Sequence, residues 1–312
     1  MKAKIEVSVI IVMAERHDDI FELYKDYKAG LDVSGYTYEF IYVIDGHFDA
    51  AFGKLKSLRD EGEPMKIIKL ARTFGESTAF TVGFRNSIGD TILVLPAYYQ
   101  VEPSEIRRML IASRDSDVVI GYRSPRIDSR FNRIQSLVWR HTVHMIGGGQ
   151  IHDLACRMRA FRRQVGEEVP IYGDHYRFLP LLAAFRGFRV KELQVTQSAV
   201  DRFRRVYRPS VYPSRLLDIL MMFFLTRFTK KPLRFFGSVG LATFALGGIY
   251  LCYVIVERVF WDIPLAERPA MLLSSLLIVL GVQVTVLGLI GELIIFTHAS
   301  QFEGHAIEKI IN

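Results

Sequence analysis

Arginine carries most of the side chains that could do chemistry in this 312-residue chain. Arg123, Arg130, Arg133, Arg159 and Arg162 fall in its middle, and Arg202, Arg204, Arg205 and Arg208 follow just before its most apolar sequence. A guanidinium offers a planar fork of donors that takes phosphate oxygens two at a time, so this distribution points to phosphate binding. Candidate acids are fewer. Asp45 closes an apolar run, and Asp153, which reads equally as the cap of a loop turn, stands ahead of Arg157 and Arg159. No metal spacing is visible among His47, His141, His144, His152, His175 and His298. His141 and His144 lie three apart on one helical stretch, a separation that arises by chance more often than through zinc. Cys156 and Cys252 are the only cysteines, which fits a reducing compartment without a structural disulfide.

The elements that must position these residues alternate in kind. Apolar strand-like runs at Glu6 to Val12, Tyr38 to Ile44, Lys66 to Leu70, Thr91 to Leu95 and Asp117 to Tyr122 are separated by helical patterns at 18–30, 50–61, 76–87 and 103–113. Continuous apolar strands between amphipathic helices indicate a parallel sheet covered on both faces. Ligands of such sheets sit beyond the carboxyl ends of the strands. That rule singles out Met13 to Arg16, Asp45 to His47, Arg72 to Gly75, Pro96 to Gln100 and Arg123. A helix is expected over Asn132 to Ile146, a short one near Arg177 to Phe185, and an edge strand over Arg189 to Thr196. The run Val7 to Ala14 imitates a signal peptide but reads better as a buried first strand.

The C-terminal part is of another class. Phe235 to Val256 and Ala270 to Gly291 are each 22 residues without a charge. As helices each would cover ~33 Å, enough for a hydrocarbon core of roughly 30 Å. With only Glu257 to Pro269 between them they form a hairpin. Arg227, Lys230, Lys231 and Arg234 precede the first span while the loop offers Arg258 and Arg268, so the N-terminal domain is expected on the cytoplasmic side of an inner membrane. Leu216 to Phe228 is too short to span and reads as a helix lying in the interface. The formal charge of +7 therefore suits anionic lipid, and no nucleic-acid-binding signature competes. The expected organisation is a domain over 1–200, a basic juxtamembrane segment over 201–234, two spans over 235–291 and a cytoplasmic tail over 292–312.

The order of these elements, with Asp45-Gly46, Leu70-Ala71-Arg72-x-Phe74-Gly75, Ser87-x-Gly89-Asp90, Asp117 to Arg123 and Asp153 to Arg162, resembles family 2 glycosyltransferases. More narrowly, it is similar to the polyprenyl-phosphate glycosyltransferases and dolichol-phosphate mannose synthases. The resemblance implies an α/β protein, a GT-A domain with a Rossmann-like, mostly parallel sheet, joined to a C-terminal two-helix transmembrane hairpin. It implies transfer of one sugar from a nucleotide-sugar to a polyprenyl phosphate at the lipid bilayer. Asp153 and Arg159, by position in the motifs, and Arg157, which departs from them, would be catalytic, and Asp45, Arg72 and Gln100 would hold the nucleotide. Arg123, Arg130, Arg162, Arg205 and Arg208 would hold the lipid phosphate, although the 202–208 run reads as readily as basic residues facing acidic headgroups.

The departures are as informative as the matches. Where the family carries Asp-x-Asp after strand four, this chain has Pro96-Ala97-Tyr98, followed by the family's glutamine as Gln100. Mg²⁺ or Mn²⁺ needs hard carboxylate oxygens, and Pro96 and Tyr98 offer none, so no metal cofactor is expected. Tyr98 and Tyr99 would fill the emptied pocket or stack on a base or sugar. Only the second member of the strand-two acidic pair remains, in Ile44-Asp45. The family's Pro-x-Tyr-Asn-Glu is Val12 to Arg16 here, and its Gly-x-Ser-Lys-Tyr is Arg208 to Tyr212. Arg157 stands where the family has a small residue and could replace the ion's charge. Two readings stay open: a metal-independent transferase, or a silent member that binds lipid phosphate or pairs with itself or with an active glycosyltransferase. A transport accessory is a third, for which two spans give little pathway.

Overall fold

The computed structural model describes residues 4–125, 151–169, 175–203, 232–261 and 269–298. Contacts divide the chain into two compact units, one built on a sheet and one on two long helices. In the first, β1 (Val7–Met13), β2 (Tyr38–Ile44), β3 (Met65–Lys69), β4 (Thr91–Pro96), β5 (Val118–Arg123), β6 (Arg159–Arg162) and β7 (Val190–Val195) form a seven-stranded sheet. Its order is β3-β2-β1-β4-β6-β5-β7. Neighbours run parallel except β6, which is antiparallel to β4 and β5. The helices are α1 (Ile20–Asp32), α2 (Asp49–Asp60), α3 (Glu76–Arg85), α4 (Glu105–Ala112), α5 (Arg163–Glu168) and α6 (Leu179–Phe185), the last entered from a 3₁₀ turn over His175–Phe178.

β1 reads Val-Ser-Val-Ile-Ile-Val-Met and is buried along its whole length, which only a strand covered on both faces permits. Alternation divides its contacts. Val9 and Ile11 join the cluster that holds Leu23, Tyr27 and Leu31 of α1, whereas Ile10 meets α3 at Gly83. A Cβ on Gly83 would lie 2.8 Å from the Ile10 side chain, so the helix approaches as closely as it does only because that position is bare. α1 starts where the Asp19 carboxylate accepts hydrogen bonds from the Phe21 and Glu22 amides. Each fully buried Leu or Ile in these layers contributes about 1.5–3 kcal/mol.

β6 is the element that the apolar pattern does not announce. Its four residues include two arginines, and it enters the sheet because Phe161 and Ala160 pair with Ile92 and Leu93 of β4.

In the second unit, α7 (Pro232–Trp261) and α8 (Pro269–His298) are 30 residues each and are both long and apolar enough to cross a membrane. They pack at small residues: a Cβ on Gly240 would run into the Thr285 hydroxyl, and one on Gly281 would sit 2.5 Å from the Phe244 amide. Leu241, Ile249, Leu272, Leu276 and Phe296 remain exposed, as lipid-facing side chains are. Both helices extend beyond the uncharged windows, through Arg234 at one end of α7 and Glu257 and Arg258 near the other. The helices expected over Asn132 to Ile146 and Leu216 to Phe228 lie outside the described residues, as do Arg130, Arg205 and Arg208.

Candidate functional site

β1 and β4 are adjacent in the sheet while β2 lies on the far side of β1, so the chain changes winding direction between them. The crevice beyond their carboxyl ends is where a ligand of such a sheet is held. Arg16 follows β1 there and Tyr98 follows β4. The two loops are laced together: the Asp18 amide donates to the Ala97 carbonyl at 3.0 Å and the Tyr99 amide to the Asp18 carboxylate at 2.9 Å. From beneath, the Tyr27 hydroxyl donates to the Pro96 carbonyl at 3.0 Å.

Tyr98 is buried and collects cations. The Arg16 guanidinium carbon lies 3.6 Å from the centroid of its ring and that of Arg157 lies 5.7 Å away. Such contacts strengthen as they are desolvated, to about 2 kcal/mol. Arg157 arrives on the segment preceding β6, where its amide donates to Gln100 Oε1 at 2.7 Å. Gln100 Nε2 in turn donates to the Ala155 carbonyl at 3.2 Å. Gln100 is fully buried and joins the β4 loop to the segment that carries Arg157.

Among the described residues, three acids pair with three arginines around this point. Arg157 Nη2 is 3.0 Å from both Glu15 and Glu76, Arg177 Nη2 is 3.1 Å from Glu15, and Arg16 Nη2 is 2.8 Å from Asp201. Burial alone would lower the affinity of Arg157 for its proton, but Tyr98, Glu76 and Glu15 outweigh it and hold the cation firmly protonated.

Below lies a buried ionic floor. Arg123 donates to the Asp153 carboxylate through Nε at 2.7 Å and Nη2 at 3.0 Å, and its Nη1 is 3.6 Å from Asp201. Arg159 donates to three main-chain carbonyls, those of Cys156, Leu154 and Tyr176. Both guanidinium groups are closed to solvent, at 0% and 1% exposure. The donors of Arg123, expected on the lipid phosphate, and of Arg159, expected to be catalytic, are directed at protein groups that shape the 153–158 segment. Cys156 faces Gly121 within this floor, and burial pushes its thiol up to about 11, away from reactivity.

Arg162, expected on the lipid phosphate, stands apart from this floor. β6 runs against β4, so Arg159 pairs with Val94 but Arg162 pairs with Thr91, at the amino end of the sheet. Three residues of strand put about 10 Å between them. There Arg162 lies 3.4 Å from Asp117 and donates to the Arg114 carbonyl.

At the β2 side of the crevice, Asp45 is buried and its two oxygens accept from the Phe74 and Gly75 amides at 2.7 and 2.8 Å. Gly75 precedes α3 at φ 98°, a conformation that a side chain would strain. Arg72 is exposed on the same loop and stacks 4.9 Å from the Phe74 ring. Arg16 closes the Met13 to Arg16 segment that the strand-end rule singles out, and it stands where the resembled family has glutamate.

The chain belongs to glycosyl transferase family 2, whose profile matches residues 8–169, and a GtrB C-terminal hairpin profile matches 231–295. It is similar to the dodecaprenyl-phosphate galacturonate synthase of Rhizobium johnstonii, 27% identical over 94% of this chain and 89% of that one. It is also 31% identical to the undecaprenyl-phosphate 4-deoxy-4-formamido-L-arabinose transferase of Klebsiella pneumoniae, over 93% of this chain and 88% of the relative. Among solved structures, the glucosyl-3-phosphoglycerate synthase of Mycobacterium tuberculosis, in complex with Mn²⁺, UDP and glucosyl-3-phosphoglycerate, superposes with a TM-score of 0.56 at 12% identity. The overlap covers 72% of this chain and 81% of that one, and it establishes the GT-A fold. The hairpin and the apolar helices make this a membrane protein.

A divalent ion such as that neighbour holds does not fit the donors present here. Pro96 and Tyr98 bring no carboxylate, guanidinium groups crowd the Tyr98 ring, and Glu15 and Glu76 are already paired. No group of three acids, histidines or cysteines that could hold a metal occurs among the described residues. The relatives just named bear the names of synthases and transferases, so the silent reading of the chain finds no support in them.

Proposed function

We propose that the protein transfers a sugar from a nucleotide-sugar to a polyprenyl phosphate without a divalent metal. Similarity to polyprenyl-phosphate sugar transferases over more than nine-tenths of the chain supports the substrate classes. The observation that carries the metal-free chemistry is the pair of guanidinium groups around Tyr98, at the switch point of the sheet.

An oxygen of the lipid phosphate attacks the anomeric carbon. The bond from that carbon to the diphosphate oxygen breaks, and its electron pair remains on the diphosphate. The nucleophile is already an anion, so no protein base has to remove a proton. The demand on the site is stabilisation of charge gathering on the leaving group, which pre-placed cations meet as an ion would. Arg157 and Arg16 are assigned that task. Asp45 shapes the 70–75 loop for the nucleotide, with Arg72 on its open side. Gln100, Arg123, Asp153 and Arg159 hold the segment that presents Arg157.

The head is assigned to the cytoplasmic side of an inner membrane spanned twice, from the excess of Lys and Arg before the first span. The test is transfer by the purified full chain, in detergent, from a panel of nucleotide-sugars to a short polyprenyl phosphate, in excess EDTA and then in Mn²⁺. Formation of the glycolipid at comparable rates in both is expected. Transfer that appears only with metal would sink the metal-free reading, and absence of any nucleotide binding at millimolar concentration would end the enzymatic one.

A further inference from the structure

We infer that Glu15 is an exchangeable anion which occupies the diphosphate seat until substrate displaces it. This rests on the reading of Arg157 as the cation for the leaving group. Glu15 bridges two guanidiniums from different parts of the chain, one carboxylate oxygen to Arg157 at 3.0 Å and the other to Arg177 at 3.1 Å. Two oxygens of one phosphate would engage the same pair of donors in the same way.

The acids around these arginines differ in how firmly they are held. Asp201 is fully buried and also accepts from Gln197 at 2.9 Å. Glu76 has a side chain 12% exposed and is fixed in the first turn of α3. Glu15 is 56% exposed, on the loop after β1. Among the described residues each of these arginines is paired with an acid, so a diphosphate gains their donors where a carboxylate leaves. Glu15 is the most exposed of the three carboxylates, so of the three it turns into water at the smallest cost. Its departure frees one donor on each of two arginines when an anion arrives to take them, and closes them again when product leaves.

An intramolecular competitor lowers the apparent affinity of a ligand by the fraction of protein in which the seat is open. For an exposed pair, removing the competitor corresponds to a gain of about two- to fivefold. The probe is inorganic pyrophosphate, titrated calorimetrically in EDTA into the full chain, its Glu15→Gln variant, and the same substitution combined with Arg177→Gln. Glu15→Gln should bind pyrophosphate about two- to fivefold more tightly at unchanged melting temperature, and the added Arg177→Gln should cancel the gain. Equal or weaker binding by Glu15→Gln, or a gain that survives Arg177→Gln, overturns the exchange. If neither the parent nor any variant binds pyrophosphate or a nucleoside diphosphate, the reading of the seat itself fails, an outcome distinct from loss of the Glu15 effect alone.

Discussion

Two regions of the crevice are built from the same side chain and behave differently. In the floor, Arg123 and Arg159 have 0% and 1% exposure, and their donors point at Asp153 and at main-chain carbonyls. At the rim, Arg16 and Arg157 keep side-chain exposures of 27% and 15%, and each leans on Tyr98. A buried cation whose partners are all protein is an architectural part, since opening it leaves uncompensated charge inside. A half-open cation stacked on an aromatic ring retains donors that a ligand can claim. Arginine richness therefore does not mark a phosphate site by itself; the partners of each guanidinium do.

The largest effect that can break this contrast is in the floor. Arg123→Met leaves Asp153 and Asp201 without their shared cation and should cost about 3–5 kcal/mol. Arg123→Lys should recover little, because one ammonium cannot reproduce the two bonds to Asp153. Thermal unfolding of the detergent-solubilised chain is the measurement, and a variant that melts with the parent would remove Arg123 from the architecture.

At the rim the balance reverses. Arg157→Ala should lower kcat by about 10²- to 10³-fold, the scale of losing one group that stabilises transition-state charge. Its melting temperature should stay close to the parent's, since Glu76 and Glu15 keep Arg177. If Arg157→Ala and Arg123→Met lose stability to the same degree, floor and rim are one structural network and the distinction falls.

A third substitution set sharpens what replaced what. Pro96→Asp with Tyr98→Asp restores the acids of the family pattern, yet Arg16 would then lie against the new carboxylate and neutralise it. Adding Arg16→Glu removes that obstacle. Only the triple variant should bind Mn²⁺, read by calorimetry, while the double variant should remain as indifferent to the ion as the parent. Mn²⁺ binding by the double variant would show that Arg16 does not stand in the ion's place.

Much of the sheet could be read in the sequence because burial on both faces forces apolar, β-branched runs, as in Val7–Met13 and Tyr38–Ile44. β6 escaped because two of its four residues are arginines, one buried in the floor and one at the opposite edge, and the strand has no apolar period of its own. The missing acids at 96 and 98 were visible as residue types. The contact of Arg16 with Tyr98 is not, since it joins loops 82 residues apart through the pairing of β1 with β4.

The smallest prediction concerns the edge where Arg162 lies. Burial would push the Glu39 carboxyl up, but the Ser8 hydroxyl, Lys66 and the Ile88 amide outweigh it and hold it below its usual value of 4.5. Asp117 is likewise lowered from 3.8, burial being outweighed by Arg189 and, more weakly, Arg162. A depressed carboxyl means that the folded state binds fewer protons than the unfolded one. Its contribution is complete above the unfolded pKa and is lost as pH falls through the folded one. Melting temperature should thus be insensitive to these two groups above about pH 5 and decline below about pH 4.5. Glu39→Gln should begin about 1–2 kcal/mol less stable at neutral pH and descend less steeply in acid. Parallel acid profiles for parent and variant would show that Glu39 has an ordinary pKa in the folded chain.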